Sequence, residues 1–462
     1  MRETITIRKG LDLPIGGAAK MLLSDARSIT TYAVKPTDFV GITPRLVVEE
    51  GDAVSAGDAL FVDKNDERIR FTSPVGGQVK AIVRGEKRKL MEVVVEADFK
   101  SAPTQELPKT AEDIKAAMLQ CGLWTQLRQR PFGTVANPDD KPKAIFVSAF
   151  DSAPLAPDYD FALQGKETFF AKGLEALSKL TNGEVHICFR PNQKLAEQLT
   201  SSNASHFSII NSQLSIHFVN GPHPAGNIGT QIAHIDPINK GEVVWTMNIQ
   251  DVAVLGELVA TGVYNPEKVI AVAGPNIKDP HYYRIIAGAC TEAIVANQIE
   301  IGSPNCRVIS GNVLSGTQIA ADGFVGAYDN MVTFLPEGDY YDFMGWLMPG
   351  FRKYTFSRTF LSGILSTLNS QLSTYKFDTN THGDERPLVF TGNFERVFPF
   401  DIYPTQLIKA CIVGDIELME NLGIYEVEPE DFALCEFIDT SKTDIQAIIR
   451  EALEKLRKEG LS

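Results

Sequence analysis

The loop from Asn220 to Gly229 is the part of this 462-residue chain that best suits contact with a ligand. It reads Asn220-Gly-Pro-His-Pro-Ala-Gly-Asn-Ile-Gly229 and holds three glycines and two prolines within ten residues. Such a composition predicts a fixed loop with exposed backbone amides, and exposed amides can hold an anion or lie against a ligand. A purely structural turn is the alternative.

Other patterns that carry chemistry are missing. The sequence has no GxGxxG, GxSxG, HExxH or EF-hand motif, and its seven histidines show no spacing typical of metal ligands. The stretch Gly311-Asn-Val-Leu-Ser-Gly-Thr317 imitates a P-loop but lacks the lysine that reaches the phosphates, so we interpret it as a turn between strands. No catalytic residue and no metal site are therefore predicted.

The cysteines are spread singly along the chain. None of the six belongs to a CxxC or CxxxC pair, so iron–sulfur and zinc sites have no support, and reduced, mostly buried thiols are expected.

Charge and hydropathy argue against a nucleic-acid-binding protein and against a membrane-spanning protein. The 44 basic and 58 acidic residues give a net charge of −14, which is unfavourable for binding nucleic acid or anionic lipid. No stretch reaches the roughly 18 consecutive apolar residues of a membrane span. The N-terminus alternates like a strand and lacks the hydrophobic region of a signal peptide, so a cytoplasmic protein is expected.

Two charged clusters stand out against this background. Residues 411–440 carry nine carboxylates and no lysine or arginine, whereas Arg84, Lys87, Arg88 and Lys89 lie close together. Each cluster is either a solvated face or a surface that meets an oppositely charged partner.

The elements that must position these residues suggest a multidomain α/β protein. Residues about 30–98 are short strands separated by glycine turns, a pattern similar to the lipoyl/biotinyl barrel-sandwich fold. The lysine that would carry a cofactor there is absent, because its place falls near Asp66. A proline-rich linker is predicted at about 101–110, and a helix from Ala111 to Cys121 that ends at Gly122.

Alternating strands and helices come next. Strands are predicted at 144–149, 185–189 and 206–210, and helices at 169–180, closed by Asn182-Gly183, and at 193–199. This order implies a Rossmann-like parallel sheet with right-handed crossovers.

Further strands are predicted at 269–273, 307–310 and 331–334, and helical periodicity from 359 onward. The last helix has an apparent capping box, Thr443-x-x-Gln446, and Gly460 at its end. The predicted domains are a strand with the barrel-sandwich unit (1–100), a Rossmann-like domain (101–263), a small α+β domain of β-grasp or SLBB-like type (264–350) and a helical domain (351–462).

A set of motifs that spans the whole chain resembles one family. The sequence is similar to the A subunit of the sodium-translocating NADH:quinone oxidoreductase, or Nqr complex. The motifs that carry the resemblance are Gly10-Leu-Asp-Leu-Pro-Ile15, Gly221-Pro-His-Pro-Ala-Gly226, Asn248-Ile-Gln-Asp-Val252, Ala273-Gly-Pro275, Gly345-Trp-Leu-Met-Pro-Gly350, Arg358-Thr-Phe-Leu361, Gly392-Asn-Phe-Glu-Arg-Val397 and Asp431-Phe-Ala-Leu-Cys435.

This resemblance implies a peripheral protein at the cytoplasmic face of the bacterial inner membrane, within a six-subunit complex. That complex passes electrons from NADH to quinone and exports sodium. FMN, FAD, riboflavin and iron–sulfur centres are implied for partner subunits and none for this chain. The integral membrane B subunit is the implied main partner, and quinone binding is an expectation for this chain.

The family is akin to cofactor-bearing proteins, the C subunit of the Rnf complex and the NADH-binding flavin subunit of complex I. Where those proteins hold FMN phosphate in a glycine-rich loop, this chain has Cys121-Gly-Leu-Trp-Thr-Gln-Leu-Arg-Gln-Arg-Pro131, which keeps a single glycine. Their acidic Glu-Cys-Glu-Pro motif is Asp151-Ser-Ala-Pro154 here, and their C-terminal cysteine clusters are reduced to Cys435. The second cysteine of many family members is Asp439 here.

On this basis the loop is a candidate quinone site. A quinone needs an apolar slot and one or two donors for its carbonyls. We hypothesise that His223 and Asn227 supply the donors in a cleft between the Rossmann-like and α+β domains. The full set of candidate lining residues is His223, Asn227, Gly226, Gly229, Trp124 and Phe132.

Two other functions are weighed against this one, a stand-alone flavin- or NAD-dependent oxidoreductase and a lipoyl- or biotin-type carrier. For the C-terminal region an assembly role is predicted. Neutralising Glu426, Glu428 and Glu430 is expected to weaken assembly at low salt and to leave the fold intact, on the premise that these charges are exposed.

Overall fold

The structure is a computed structural model that describes residues 4–98, 108, 110–200, 213–275, 277–296, 298, 305–345, 347–358, 360–368, 375 and 377–460. Within these residues the strands form four sheets. The first two strands, β1 (Thr4–Thr6) and β2 (Lys20–Asp25), join two different sheets that are built mainly from later parts of the chain.

Two small sheets form the predicted barrel sandwich. One has the order β3-β9-β8-β5 and the other β4-β6-β7. Phe61 on β6 and Phe71 on β7 are cross-strand neighbours in the second sheet; their rings stack with centroids 4.6 Å apart, and both are buried. The strands are β3 (Thr31–Val34), β4 (Pro44–Leu46), β5 (Ala53–Val54), β6 (Ala59–Asp63), β7 (Arg70–Thr72), β8 (Gly77–Arg84) and β9 (Leu90–Ala97).

The second unit is a seven-stranded sheet of order β1-β14-β13-β12-β15-β10-β11. Neighbouring strands from β1 to β15 pair in parallel, as predicted, and β10 and β11 extend the sheet in antiparallel. Its elements are α1 (Ala111–Cys121), β10 (Arg128–Arg130), β11 (Thr134–Val135), β12 (Ala144–Ser148), α2 (Tyr159–Ala162), α3 (Glu167–Ser178), β13 (Glu184–Phe189), α4 (Lys194–Thr200), β14 (Leu214–Asn220), α5 (Ile228–Ile235), β15 (Val244–Thr246) and α6 (Ile249–Thr261).

Local signals explain where these elements begin and end. The helix predicted from Ala111 to Cys121 is confirmed, since Thr110 and Asp113 form a capping box and Gly122 ends it at φ +83°. In contrast, α3 ends at Ser178, before the predicted Asn182-Gly183 stop. Gly183 instead lies so close to the carbonyl of Lys143 that a Cβ would come within 1.7 Å of its oxygen. The strand predicted at 206–210 and almost all of the predicted linker fall outside the described residues.

The third unit is a six-stranded sheet of order β19-β18-β20-β16-β17-β2. The stretch Gly311–Thr317 is a turn between antiparallel β18 and β19, as predicted. The elements here are β16 (Glu267–Ala273), β17 (His281–Ile286), α7 (Glu292–Val295), β18 (Cys306–Ser310), β19 (Thr317–Ile319) and β20 (Met331–Pro336).

The last part of the chain is helical, as predicted. A separate hydrophobic core forms around Phe398, Leu407, Phe432 and Leu453. None of the described helices is long and apolar enough to cross a membrane. The helices are α8 (Leu361–Leu368), α9 (Phe394–Val397), α10 (Pro404–Val413), α11 (Ile416–Asn421), α12 (Ala433–Ile438) and α13 (Ile445–Gly460).

The predicted capping box of the last helix is wrong. The backbone N–H of Gln446 donates to the Glu436 carboxylate at 2.8 Å, and the Gln446 side chain donates to the Leu314 carbonyl and to Glu436. The Thr443 hydroxyl is buried and makes no hydrogen bond with a described residue. The Glu436 carboxylate of α12 therefore accepts the hydrogen bond that the Thr443 side chain was predicted to accept.

Candidate functional site

The loop from Asn220 to Gly229 lies at the carboxyl end of β14 and leads into α5. Open parallel sheets usually bind ligands at this edge. Its neighbours, however, differ from those hypothesised. Gly10 lies against the His223 carbonyl and Gly229 lies against Asp431, so the loop packs between the N-terminal segment and the C-terminal region.

The backbone amides of the loop are used internally. The N–H of His223 donates to Asp12 Oδ1 and that of Gly226 to Ser152 Oγ, at 2.8 and 2.7 Å. Those of Ala225 and Asn227 donate to Pro222 and Pro224 carbonyls, both at 2.9 Å. The prediction of exposed amides is therefore wrong at these four positions, and the loop is not built as an amide nest for an anion.

His223 is held as a neutral, buried imidazole. It is 3 % exposed, and burial lowers its pKa to about 4. Its Nδ1 lies 3.0 Å from Ser152 Oγ, which already accepts the Gly226 amide. The hydroxyl of Ser152 can therefore donate to Nδ1, which leaves the hydrogen on Nε2 and makes that nitrogen a donor. Among the described residues, none forms a hydrogen bond with Nε2 of His223.

Ser152 belongs to the Asp151–Pro154 stretch. Burial raises the pKa of the neighbouring Asp151 carboxyl, which accepts the Ala153 amide at 2.8 Å. An apolar cluster adjoins this stretch and contains Ile7, Phe150, Cys188, Val219 and Ala225. The loop thus offers one neutral donor beside an apolar wall.

The other candidate residues of the loop have distinct positions. Asn227 precedes α5 in the N-cap position, and its side chain makes no capping hydrogen bond. Gly226 contacts the backbone of Ser152, where a Cβ would come within 2.4 Å of the amide nitrogen. A Cβ on Gly229 would lie 2.4 Å from Asp431 Oδ1 and 2.6 Å from Arg130 Nη1, so a larger residue there would have to displace these two side-chain ends.

Trp124 and Phe132 lie in other hydrophobic clusters. Trp124 is 1 % exposed, packs edge-on against Trp245 and donates from its indole nitrogen to the Ala136 carbonyl at 2.8 Å. Phe132 packs against Tyr425 in the C-terminal core. The structure does not bring these two rings together with His223 into one wall.

A buried ionic network lies beside Gly229 and was not predicted. Arg130, which is 2 % exposed, contacts Glu430 Oε1 at 2.8 Å, Glu428 Oε1 at 3.2 Å and Asp431 Oδ2 at 3.3 Å. Arg128 donates to Glu428 Oε2 at 2.8 Å. The network joins β10 to the segment before α12. The signal available in the sequence was the spacing of Arg128 and Arg130, which lie two positions apart and therefore on the same face of β10.

The two buried carboxyl groups of the network have pKa values that are shifted in opposite directions. Burial acts to raise the pKa of Glu428, but Arg130 and Arg128 outweigh it and leave that pKa below its usual value. Burial raises the pKa of Asp431 to about 7 despite the attraction of Arg130, and the Glu430 carboxylate adds to the rise. Asp431 Oδ1 is buried and accepts no hydrogen bond from a described residue.

This network corrects the expectation that the acidic run is exposed. Glu428 and Asp431 are 2 % and 3 % exposed, so neutralising Glu428 would break a buried pair instead of altering a solvated face. Glu420, in contrast, forms an exposed pair with Lys240. The basic cluster is exposed, in agreement with the sequence analysis. It lies at the tip of the β8–β9 hairpin and consists of Arg84, Lys87, Arg88 and Lys89.

Side chains fill the stretch Cys121–Pro131. Leu123, Trp124 and Leu127 are each at most 1 % exposed and pack into the core. The Thr125 and Leu127 amides donate to the Gly122 and Trp124 carbonyls. Side chains thus occupy the space that a glycine-rich loop leaves open to a phosphate.

A small cavity adjoins this stretch where the first three units meet. Its volume is about 60 Å³, and Lys35, Asp38, Phe71, Gln126 and Tyr264 belong to its lining. The Gln126 Oε1 atom is buried without a hydrogen bond to a described residue. A cavity of this size accommodates a few waters at most.

The cysteines are free and separate, as predicted. Cys435 is completely buried, and burial raises the pKa of its thiol well above the usual value. Among the described residues, no three His, Cys, Asp or Glu side chains group as metal ligands.

Comparisons with known proteins agree with the fold. Three family models match: the NqrA N-terminal barrel-sandwich hybrid domain over residues 5–98, the NqrA second alpha/beta domain over 109–264 and the NQRA C-terminal domain of SLBB type over 269–321.

Full-length relatives carry one shared name. The chain is 39 % identical to the A subunit of the Na(+)-translocating NADH-quinone reductase of Pasteurella multocida (strain Pm70), covering 99 % of this chain and 100 % of the relative. It is 36 % identical to the protein of that name from Yersinia pseudotuberculosis serotype O:1b and 38 % identical to that from Neisseria meningitidis serogroup A, with the same coverage.

Among solved structures, an NAD+-reducing [NiFe]-hydrogenase in the H2-reduced state is similar at 14 % identity and a TM-score of 0.38. The match covers 75 % of this chain and 61 % of that one, and it is too weak to support an argument.

Proposed function

The chain belongs to the NqrA family, the A subunits of the Na(+)-translocating NADH-quinone reductase, and we propose that it serves this complex without a redox cofactor of its own. In this proposal it is a peripheral protein on the cytoplasmic face of the membrane. It supports assembly and contributes to quinone binding, while NADH oxidation and electron transfer take place in partner subunits. The 39 % identity over the full length of a relative carries the proposal.

The filled stretch Cys121–Pro131 supports the cofactor-free part of the proposal. A flavin phosphate needs backbone amides that it can approach closely, and here the Thr125 and Leu127 amides are bonded within the turn. FMN, FAD, riboflavin and iron–sulfur centres then belong to the partners. The stand-alone oxidoreductase, our alternative, would need a cofactor cradle that the described residues of this stretch do not provide.

We expect the purified chain to be colourless and unable to oxidise NADH, because neither this stretch nor the lone Cys435 provides a redox site. An absorbance spectrum between about 300 and 600 nm and an NADH oxidation assay check this prediction. The intact complex from the same expression system is the positive control. Stoichiometric flavin or iron in the isolated chain would contradict the proposal.

For quinone, the structure supports the loop residues more than the aromatic ones. Nε2 of His223 is a donor, and Ala225 of the same loop belongs to an apolar cluster; a quinone needs a donor for its carbonyl and an apolar surface for its ring. Because His223 is buried beneath the N-terminal segment, binding there requires movement of the contacts from Leu11 and Asp12. Trp124 lies in a different core cluster and lends no support.

We expect His223→Ala and Asn227→Ala each to weaken quinone binding by about tenfold, the equivalent of one lost hydrogen bond of about 1.4 kcal/mol. Titration of the assembled complex with a fluorescent quinone analogue measures the affinity. His234→Ala is the matched control, since His234 lies on α5 and, among the described residues, its side chain forms a hydrogen bond only with the Thr230 carbonyl of the same helix. Unchanged affinity in both loop variants would mean that the loop is structural.

A further inference from the structure

In the segment from Tyr340 to Phe351, between β20 and α8, the apolar side chains of the described residues, 340–345 and 347–351, are exposed to solvent. Tyr341 is fully exposed, Phe343 is 89 % exposed, and Leu347, Met348 and Phe351 are each more than half exposed. Soluble proteins seldom leave so many large apolar groups together on the surface, and such patches mark contact sites.

Hydrogen bonds tie this segment to residues that follow it in the chain. Lys353 donates to the Asp342 carboxylate and to the Gly345 carbonyl, and Asn380 donates to the Gly338 and Tyr340 carbonyls. These hydrogen bonds connect the segment to Lys353 and Asn380.

The composition of the surface matches that of protein interfaces. Tyrosine, phenylalanine, methionine and arginine are the residues enriched at interface cores relative to the rest of a protein surface. Exposed Arg352 and Arg358 flank the apolar side chains, and neither forms an ion pair with a carboxylate in the described part of the chain. The carboxylate of Asp342 is already paired with Lys353.

We propose that residues 340–345 and 347–351 form the surface by which this chain binds a partner subunit, at a site that is apolar in its centre and acidic at its rim. The acidic rim follows from the two unpaired arginines, which would meet carboxylates there. A protein is favoured over a lipid surface because the net charge of −14 repels the chain as a whole from anionic headgroups. This inference rests on the proposed function, since it requires partner subunits.

The test uses the tagged full-length chain co-expressed with the other subunits of its complex. The variant Tyr341→Ser/Phe343→Ser/Met348→Ser removes the apolar centre. We expect it to reduce recovery of partner subunits about tenfold or more, with the thermal melting of the isolated chain unchanged. The matched control, Tyr403→Ser/Ile412→Ser/Val413→Ser, removes three comparably exposed groups at α10 and is expected to leave recovery unchanged.

The outcomes separate this inference from the function on which it rests. If the wild-type chain recovers no partner subunits, the proposed function fails. If wild type and the 341/343/348 variant recover them equally, or the control variant loses them equally, only the surface is refuted. If wild type instead floats with phosphatidylglycerol vesicles and this variant does not, the surface binds lipid and the inference is wrong.

A second variant tests the charged rim. Arg352→Glu/Arg358→Glu is expected to lower recovery at low salt and to approach wild type at high salt, because screening weakens exposed charge pairs. If the recovery of partner subunits by this variant does not depend on salt, the proposal of an acidic rim on the partner is wrong.

Discussion

Replacing Arg130 by methionine is expected to lower the free energy of unfolding by about 3–5 kcal/mol, the cost of breaking a buried ion pair from one side. Arg130 is almost completely buried and contacts three carboxylates within 3.3 Å. Because methionine keeps most of the aliphatic part of the arginine side chain, little cavity forms. The loss of stability is then due mainly to the missing charge and its hydrogen bonds. Without the guanidinium, the Glu428 carboxylate would remain buried without its main counter-charge.

Urea unfolding followed by circular dichroism measures this loss. Lys240→Met is the matched control, because Lys240 forms an exposed pair with Glu420 at 2.7 Å that is worth less than about 1 kcal/mol. A loss for Arg130→Met no larger than that of the control would contradict a stabilising role for the network. Proteolysis that releases the region after Glu428 would show where the loss falls.

The network also shows which parts of this structure the sequence could predict. Local patterns predicted α1 with its glycine stop, the parallel strands β12 and β13 and the turn after β18, since the information for each lies within about ten residues. Arg130 and Glu430 lie 300 positions apart, and no periodicity or turn signal connects them. The nine carboxylates therefore suggested a solvated face, although Glu428 and Asp431 are buried.

The candidate site was predictable to a similar extent. Its composition identified the loop as rigid, and the rigidity follows from bonds that tie it to Asp12 and Ser152. The sequence could not show that these bonds consume the loop amides, because Asp12 comes from the far end of the chain. Nor could it show that Trp124 packs in the core, since a tryptophan in a polar stretch suits a ligand wall equally well.

The second large effect concerns Asp431 and pH. Burial raises the pKa of Asp431 to about 7 in the folded protein, whereas an unfolded aspartate titrates near 3.9. Between these values the folded state holds a proton that the unfolded state lacks. The stability that this proton contributes is therefore complete below about pH 4 and is lost as pH rises through about 7.

Asp431→Asn, which cannot titrate, is expected to lose less stability than wild type as pH rises from about 5 to 8. The difference between the two proteins can change by up to about 1.4 kcal/mol per pH unit within this window. Arg130, Glu430 and Glu428 face Asp431 and stay in both proteins, and so do the buried histidines His186 and His223, whose lowered pKa values act in the opposite direction. Urea unfolding at pH 5, 6, 7 and 8 measures both curves, with Asp415→Asn as an exposed control. Parallel curves for wild type and Asp431→Asn would show that Asp431 is ionised throughout, and that Arg130 neutralises all three carboxylates despite their burial.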